Sequence, residues 1–452
     1  MADEARKTAL FVLNTLDKQN KTLDAVLDEV RSIDPPFSRR DRVFIHALVY
    51  GVLRWRGRLD WIIKHLSRTR FSRIDPAVLN ILRLGLFQII YLSRVPDSAA
   101  VNTSVEMAKS LSAPWVVRYV NGLLRNAVRA HKNIPFPDKD KDPVAALAAA
   151  KSFPEWLIRR WLNRFGTEET LHLSDAMNTI PPITVRTNTL KVTRSELVTA
   201  LGADAGKIET TRYSPDGISF SNPKHPIPDM EPFQNGWFQV QDEAAQLAAR
   251  LLNPGPGDTV LDACAGLGGK TGYIAQMMQD KGRLVAVDIS EKKLRRLESE
   301  MKRLGITIVS TCVHDLNDPL SVNGAEMYDR VFLDAPCSGL GVLRRNPDAK
   351  WSMSENELAR HAKRQKKFLD NLVHLVKPSG ILVYTVCSTE PEETTAVIEF
   401  FLNKYPEFQV AKYPKGLPLN VCPSVHETGF LWTFPHLNNM DGFFSVGLER
   451  IP

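Results

Sequence analysis

The sequence predicts a multidomain chain in three parts: an all-helical N-terminal third, a small α+β insert, and a C-terminal α/β domain built on a doubly wound parallel sheet. Three observations carry this reading. Apolar residues recur at helical spacing through residues 1 to about 165. A polar stretch bounded by prolines, Phe136-Pro-Asp-Lys-Asp-Lys-Asp-Pro143, punctuates the chain. Beyond residue 255, five short apolar runs alternate with helical patterns, which is the signature of a parallel sheet with crossover helices.

In the N-terminal part, Ala9-Leu10-Val12-Leu13-Leu16 and Val43-Ile45-Leu48-Val49-Val52-Leu53 each trace one apolar helix face, and Ser38 stands as a cap ahead of the second. The segment Asp75–Tyr91 is apolar nearly all round and suits the central helix of a bundle. Arg54, Arg56, Arg58, Lys64, Arg68, Arg70 and Arg73 surround Trp55 and Trp61. Such interleaving suits phosphate contacts with aromatic stacking, although tryptophans of this kind usually belong to a core.

After the linker, Pro154–Trp161 reads as a short helix. Pro181-Pro182 opens a strand-like run, Ile183–Asn188, and a helix over Ser195–Leu201 leads to further short strands up to Phe238-Gln-Val-Gln241. The C-terminal strands are expected at Thr259–Ala263, Arg283–Asp288, Ile306–Ser310, Tyr328–Asp334 and Gly380–Val386. Asp441–Leu448 breaks the alternation and reads as a final antiparallel strand at or near the end of the sheet.

Composition narrows the function classes. A chain of 452 residues exceeds one compact core. No stretch approaches the roughly 18 uncharged apolar residues of a membrane span, and Met1-Ala-Asp-Glu-Ala-Arg-Lys7 lacks the apolar core of a signal peptide, so a soluble cytoplasmic protein is expected. The five cysteines, Cys264, Cys312, Cys337, Cys387 and Cys422, include no Cys-x-x-Cys pair, which argues for reduced thiols and no metal site. Residues 1–130 hold 21 Lys and Arg against 12 Asp and Glu. A basic N-terminal third points to a polyanion, most often nucleic acid, with a solvated basic surface as the plainer alternative.

The chemistry gathers at three strand ends. Asp262-Ala-Cys264-Ala265-Gly266-Leu267-Gly268-Gly269-Lys270 follows the first C-terminal strand, and its glycines at a strand-to-helix turn let backbone approach a ligand. Asp288 closes the second strand, where a carboxylate conventionally holds ribose hydroxyls, and Asp315 lies just beyond the third, within reach of an adenine amino group. Together they argue for an adenosine-containing cofactor, either a dinucleotide or S-adenosylmethionine.

Two further strands end in thiols: Val331-Phe-Leu-Asp334-Ala-Pro-Cys337-Ser-Gly339 and Gly380-Ile-Leu-Val-Tyr-Thr-Val-Cys387-Ser-Thr389. A lone cysteine is usually filler, but two thiols at one sheet edge suit a specific reaction. A thiolate adding to carbon 6 of a pyrimidine makes carbon 5 nucleophilic enough to take a methyl group from a sulfonium. An acid network at N3 and the amino group must assist, for which Asp334 is placed, and a base must then remove the carbon-5 proton. This selects S-adenosylmethionine over a dinucleotide.

At these residues the sequence resembles the Fmu/Sun-type (NOL/NOP/Sun) RNA cytosine-5 methyltransferases, and within them the bacterial RsmB-like branch that acts on 16S ribosomal RNA, over nearly the whole chain. Phe44–Arg54, Leu59-Asp-Trp61 and Val120–Arg125 match the NusB-like helical domain fused to those enzymes. Val240–Gln246, Asp334–Gly339, Arg344–Asp348, Tyr384–Thr389 and Asp441–Phe444 match further motifs. The resemblance implies a NusB-like RNA-binding bundle over 1–135, a linker and connecting helix over 136–169, a small α+β RNA-binding insert over 170–240, and a Rossmann-like class I methyltransferase domain over 241–452.

It also implies roles. In this RNA family the cysteine of the later motif, here Cys387, is the nucleophile, and the Pro-Cys thiol, here Cys337, assists release; DNA cytosine-5 methyltransferases use their Pro-Cys as nucleophile instead. Cofactor contacts are implied for Cys264, Ala265, Gly266, Leu267, Gly268, Gly269 and Lys270, and for Asp288, Asp315 and Asp334, with Asp334 and Lys270 also near the target base. Two departures stand out: Gly266-Leu267 where the family usually has Ala-Pro, and Val313-His314-Asp315 where Gly-Asp is common. A helix expected to start at Ser388-Thr389-Glu390-Pro391-Glu392 would support Cys387 by lowering its thiol pKa.

The expected partner is RNA, specifically 16S ribosomal RNA, bound by a monomer with its target base unstacked. Arg344, Arg345, Lys350, Arg360, Lys363, Arg364, Lys366 and Lys367 would line its approach. A tRNA or DNA methyltransferase would share the catalytic core, and a non-catalytic rRNA-binding assembly factor is the alternative of another class.

Overall fold

The computed structural model describes residues 2–19, 21–31, 37–111, 114–320, 327–411, 417, 425 and 428–452. Cys422 lies outside them, and the other four cysteines are free thiols. The chain forms two compact units, Met1–Thr179 with Leu343–Met353, and Ile180–Val342 with Ser354–Pro452. No helix among the described residues is long and apolar enough to cross a membrane.

The first unit is all-helical: α1 (Ala2–Lys18), α2 (Leu23–Arg31), α3 (Arg39–Leu66), α4 (Pro76–Tyr91), α5 (Asp97–Lys109), α6 (Pro114–Ala130), α7 (Pro143–Lys151) and α8 (Glu155–Met177). Ser38 caps α3 by accepting the Asp41 amide at 3.1 Å, and Asp75 caps α4 by accepting that of Ala77 at 2.8 Å, ahead of Pro76. Val78 through Gln88 are buried without a break, so α4 is the central helix. It meets α3 at Gly51, where a Cβ would lie 1.9 Å from the Phe87 ring. Inside the bundle, Arg83 grips both oxygens of Asp60 at 2.7 and 2.9 Å.

The two tryptophans of the basic stretch are structural. Trp55 stacks on Tyr91 with 5.0 Å between ring centroids, and the Trp61 indole donates to the Pro135 carbonyl at 3.0 Å. The helix expected over Pro154–Trp161 forms and extends to a break at Gly166, whose φ of 76° and ψ of −179° are not helical, and a second helical stretch continues to Met177.

The segment Leu343–Met353 packs within this helical unit. Lys350 is fully buried and donates to Asn178 Oδ1 at 2.6 Å and to the Arg54 and Ser152 carbonyls at 3.3 Å, with its ammonium 3.7 Å from the Phe153 ring centroid. Burial holds its pKa well below the ordinary lysine value. Arg344 is also buried, and its carbonyl accepts from Arg54 at 2.7 Å. The expectation that these two cations line an RNA path is therefore corrected: both are internal.

The second unit holds two sheets. Four antiparallel strands, β1 (Ile183–Thr187), β2 (Gly206–Thr210), β3 (Gly217–Ser221) and β4 (Phe238–Val240), stand in the order β2-β3-β1-β4 with α9 (Arg194–Leu201) and α10 (Glu231–Gln234) between them in sequence. This β-α-β-β-α-β arrangement is ferredoxin-like. Leu197, Leu201, Ile218, Phe220 and Phe238 fill its core.

The larger sheet runs β10-β12-β9-β8-β5-β6-β7, with β11 also paired to β12. Its strands are β5 (Thr259–Asp262), β6 (Arg283–Asp288), β7 (Val309–Val313), β8 (Tyr328–Asp334), β9 (Val376–Val386), β10 (Phe408–Val410), β11 (Phe430–Thr433) and β12 (Phe443–Arg450). β5 to β9 are parallel, and β12 joins antiparallel beside β9. The expected multidomain architecture, helical bundle plus α+β insert plus Rossmann-like domain, is what forms. β7 begins at Val309, not Ile306, because the Asp280 carboxylate captures the amides of Thr307 and Ile308 at 2.9 and 3.2 Å.

Candidate active site

Adjacent parallel strands β8 and β9 end level with each other, Asp334 lying opposite Thr385 in the ladder. The chain beyond each carries a thiol, and the Cys337 and Cys387 sulfurs stand 3.3 Å apart. Their shared hydrogen bond, burial and the proximity of Glu393 push the Cys337 thiol well above its ordinary range. Cys337 therefore keeps its proton, and the sulfur contact lets either thiol donate to the other.

Beside the thiols, Lys270 donates to Asp334 Oδ2 at 2.5 Å. Burial lowers the Lys270 pKa, but the charge and hydrogen bond of Asp334 outweigh it, with Cys387 adding to the rise, so the ammonium is held protonated. α11 (Gly269–Met277) begins one residue before Lys270, and the N–H groups of its first turn have no partner within the helix. Thr271, one residue on, donates to the buried Asp262 at 2.7 Å and ties the helix start to β5.

A cavity of about 510 Å³ opens at this edge, lined among others by Cys264, Gly266, Asp288, Ile289, Asp315, Leu316, Asp334, Cys337, Arg364 and Cys387. Asp288 Oδ2 accepts the Gly266 amide at 3.0 Å and Oδ1 accepts that of Ser290 at 2.8 Å, which orients the carboxylate while each oxygen keeps a lone pair for a hydroxyl. Asp315 Oδ1 is held by the backbone and side-chain amides of Asn317, both at 2.9 Å. Ile289, more than half exposed, supplies an apolar wall for a flat ring. Two oriented carboxylates, an apolar wall and a helix N-terminus fit an adenosine-type cofactor. The described residues contain no cluster that could hold a metal ion.

The loop residues divide by role. Gly266 adopts φ +57°, a conformation that favours glycine, so this chain's departure from Ala at that position is accommodated by the turn itself. Gly268, at φ +83°, is pressed against Leu297, where a Cβ would lie 2.7 Å from Cγ. Ala265 donates its amide to Val287 at 2.9 Å, and Leu267 is half exposed; neither they nor Gly268 and Gly269 line the cavity. Burial and the nearby carboxylates of Asp334, Asp262 and Asp288 push the Cys264 thiol well up, which removes it as a nucleophile.

No α-helix starts at Ser388, where one was expected; a 3₁₀ turn over Pro391–Glu393 intervenes, and the helix Thr395–Lys404 begins only after Thr394 at φ −122°, ψ −101°. The helix-terminus argument for Cys387 therefore has no geometric basis. Sequence reasoning also overlooked Arg186 on β1. It is fully buried, donates to Gln241, Gln239 and the Gly269 carbonyl at 2.6, 2.9 and 2.7 Å, and braces the loop from the ferredoxin-like sheet. Burial lowers its pKa to about 10, leaving it a cation. An arginine alternating with Ile, Val and Thr in a short strand carries no signal that separates it from a solvent-facing residue.

Fold and site together define a class I methyltransferase joined to an all-helical domain, and comparison with known proteins is specific. The model of the 16S rRNA methyltransferase RsmB/F family matches residues 249–449, that of the NusB family residues 3–129, and that of the RsmF/B-like ferredoxin-like domain residues 153–227. The "Probable ribosomal RNA small subunit methyltransferase B" of Synechocystis is 36% identical, covering 99% of both chains. Its namesake from Bacillus subtilis is 34% identical over 98% of both. The crystal structure of PH0851 superposes with a TM-score of 0.82 at 27% identity, covering 99% of each chain. A methyltransferase homologue from Pyrococcus horikoshii reaches 0.58 at 25% identity, covering 69% of this chain and 99% of its own.

The chain belongs to the RsmB/F methyltransferase family. It is an S-adenosylmethionine-dependent methyltransferase.

Proposed function

We propose that the protein transfers a methyl group to carbon 5 of a cytosine in RNA, with 16S ribosomal RNA as the substrate, acting as a monomer in the cytoplasm. The observation that carries this reading is the pair of sulfurs 3.3 Å apart beside the Lys270–Asp334 ion pair. Simple acid–base or hydride chemistry has no use for such a pair, whereas attack on and departure from a pyrimidine uses both members. The relatives' names supply the RNA: those from Synechocystis and Bacillus subtilis are small-subunit ribosomal RNA methyltransferases.

Asp288 would hold the cofactor's ribose, Asp315 the adenine edge, and Cys264 and Gly266 of the loop with Asp334 the remainder. The cofactor supplies an electrophilic methyl group. Cys387, as thiolate, adds to carbon 6, and Lys270, kept protonated by Asp334, donates to the charge that develops at N3 and O2, while Asp334 accepts from the exocyclic amine. After methylation carbon 5 carries both a proton and the methyl group. That proton passes to the Cys337 sulfur as the Cys337 proton passes to the departing Cys387 sulfur, so the carbon–sulfur bond breaks and both sulfurs end as thiols; Cys387 gives its proton to solvent before the next addition. Access requires a base out of its stack, and Arg360, Lys363 and Lys367, exposed on the helix Glu355–Leu372, are available to the flanking phosphates.

The test is incubation with methyl-labelled S-adenosylmethionine and, separately, 16S ribosomal RNA, tRNA and DNA, followed by digestion to nucleosides. The reading expects label in 5-methylcytidine from 16S ribosomal RNA; label in another nucleoside, or in tRNA alone, overturns it.

A further inference from the structure

We propose that Glu393 is a positioning residue for release: one buried carboxylate clamps the two thiol-bearing loops together and holds the sulfurs in contact. The inference rests on the roles proposed above for Cys387 and Cys337. Glu393 is fully buried at the end of the Pro391–Glu393 turn. Its Oε1 accepts the Ser338 amide at 2.8 Å and Gln365 Nε2 at 3.2 Å. Its Oε2 accepts the hydroxyls of Ser338 at 2.5 Å and Ser388 at 2.6 Å. Ser338 directly follows Cys337 and Ser388 directly follows Cys387, so a single oxygen gathers the two residues next to the thiols.

The need for a clamp follows from the topology. The β8–β9 ladder ends at Asp334 and Thr385, before either thiol. Past that point the loops are joined through backbone by Ala335 N–H to the Thr385 carbonyl and Gly341 N–H to the Cys387 carbonyl, both 2.9 Å. Those bonds lie on either side of the Cys337 position and fix neither side chain. Gln365 completes the arrangement by donating to both Glu393 and the Pro336 carbonyl, the latter at 3.1 Å. The turn itself is anchored from below, where the Tyr384 hydroxyl donates to the Glu393 carbonyl at 2.6 Å. Charge-assisted bonds in a dry site are the strong kind, and four of them converge here.

Loss of the carboxylate frees the Cys337 loop from the Cys387 loop. Addition at carbon 6 needs only Cys387 and persists; release needs the Cys337 proton to reach the Cys387 sulfur and slows. A displacement of about 1 Å at a reacting pair costs on the order of 100-fold in rate. Glu393→Gln keeps the shape, an oxygen for the Ser338 amide and a nitrogen that donates to the serine hydroxyls, so it restores part of what Glu393→Ala loses.

The experiment uses the full chain and two readouts. Dibromobimane, which fluoresces when it bridges two neighbouring thiols, reports the Cys337–Cys387 contact without RNA, with Cys337→Ala as the blank. Cytosine-containing RNA and S-adenosylmethionine report the ratio of covalent adduct to released product. For Glu393→Ala we expect unchanged cofactor affinity, slower bridging and an adduct-to-product ratio raised on the order of 100-fold, with Glu393→Gln between it and the wild type. Equal bridging in all three proteins overturns the clamp, as does a proportional fall of adduct and product, which marks only loss of folded enzyme. Should Glu393→Ala fail to fold, Ser388→Ala and Glu393→Gln give the same comparison. A wild-type protein that forms no adduct refutes the assigned thiol roles instead, and bridging still decides whether Glu393 holds the thiols.

Discussion

Asp262, at the start of the cofactor loop, gives the protein a pH-dependent stability that one substitution should remove. The side chain is 1% exposed at the centre of the parallel sheet and accepts from Thr271 at 2.7 Å. Burial raises its pKa to about 7 from 3.8; the Thr271 hydrogen bond and Lys270 oppose the rise, and Asp334 adds to it. Between these values the native state holds a proton that the unfolded chain has released. The associated stability is complete below the unfolded value and is lost as pH climbs through the native one. A rise of roughly three units corresponds to a ceiling of about 4 kcal/mol. Asp262→Asn keeps an acceptor for Thr271 and cannot ionise. It should therefore match or fall slightly below the wild type near pH 4 and exceed it by about 2–4 kcal/mol at pH 8. Hydrogen-exchange protection of peptides spanning β5, corrected for intrinsic exchange and followed across this range, reads the difference directly. Parallel curves for the two proteins, with a constant offset at every pH, would refute the reasoning.

Further outcomes follow from single contacts. Gly268→Ala places a Cβ 2.7 Å from Leu297 at φ +83°, which should cost about 1–3 kcal/mol in denaturant unfolding and weaken S-adenosylmethionine binding in titration calorimetry. Glu243 accepts the buried amides of Tyr213 and Ser214 at 2.6 and 2.7 Å; Glu243→Ala orphans both, and urea unfolding should register a loss of about 2–5 kcal/mol. Cys337→Ala should leave cofactor binding intact and accumulate a protein–RNA adduct visible as a gel shift; normal product formation with no adduct would remove its release role.

Much of the catalytic sheet was legible because buried strands read as apolar runs stopped by polar residues. β6 and β8 begin and end where Arg283–Asp288 and Tyr328–Asp334 indicate. That two thiols reach one sheet edge was equally legible, since each follows such a run. What stayed hidden depends on side chains distant in sequence. The Asp280 carboxylate shortens β7 at its start, and the Glu393 carboxylate, drawn to Ser338 and Ser388, sits in a 3₁₀ turn where a helix was expected. Lys350 and Arg344 look like phosphate ligands in a basic run, yet Lys350 is satisfied by Asn178, two carbonyls and the Phe153 ring. Glu393 itself stands near Glu390, which is also buried, and Glu392, and nothing local distinguishes the one that reaches both Ser338 and Ser388.

The central claim is the division of labour between the two sulfurs, and covalent trapping tests it most directly. RNA carrying 5-fluorocytidine blocks loss of the carbon-5 substituent and freezes the adduct, after which proteolysis and mass spectrometry locate the modified residue. The account predicts that the RNA is attached to the peptide containing Cys387, that Cys387→Ala forms no adduct while still binding S-adenosylmethionine, and that Cys337→Ala traps as well as the wild type. Attachment at Cys337 would contradict it.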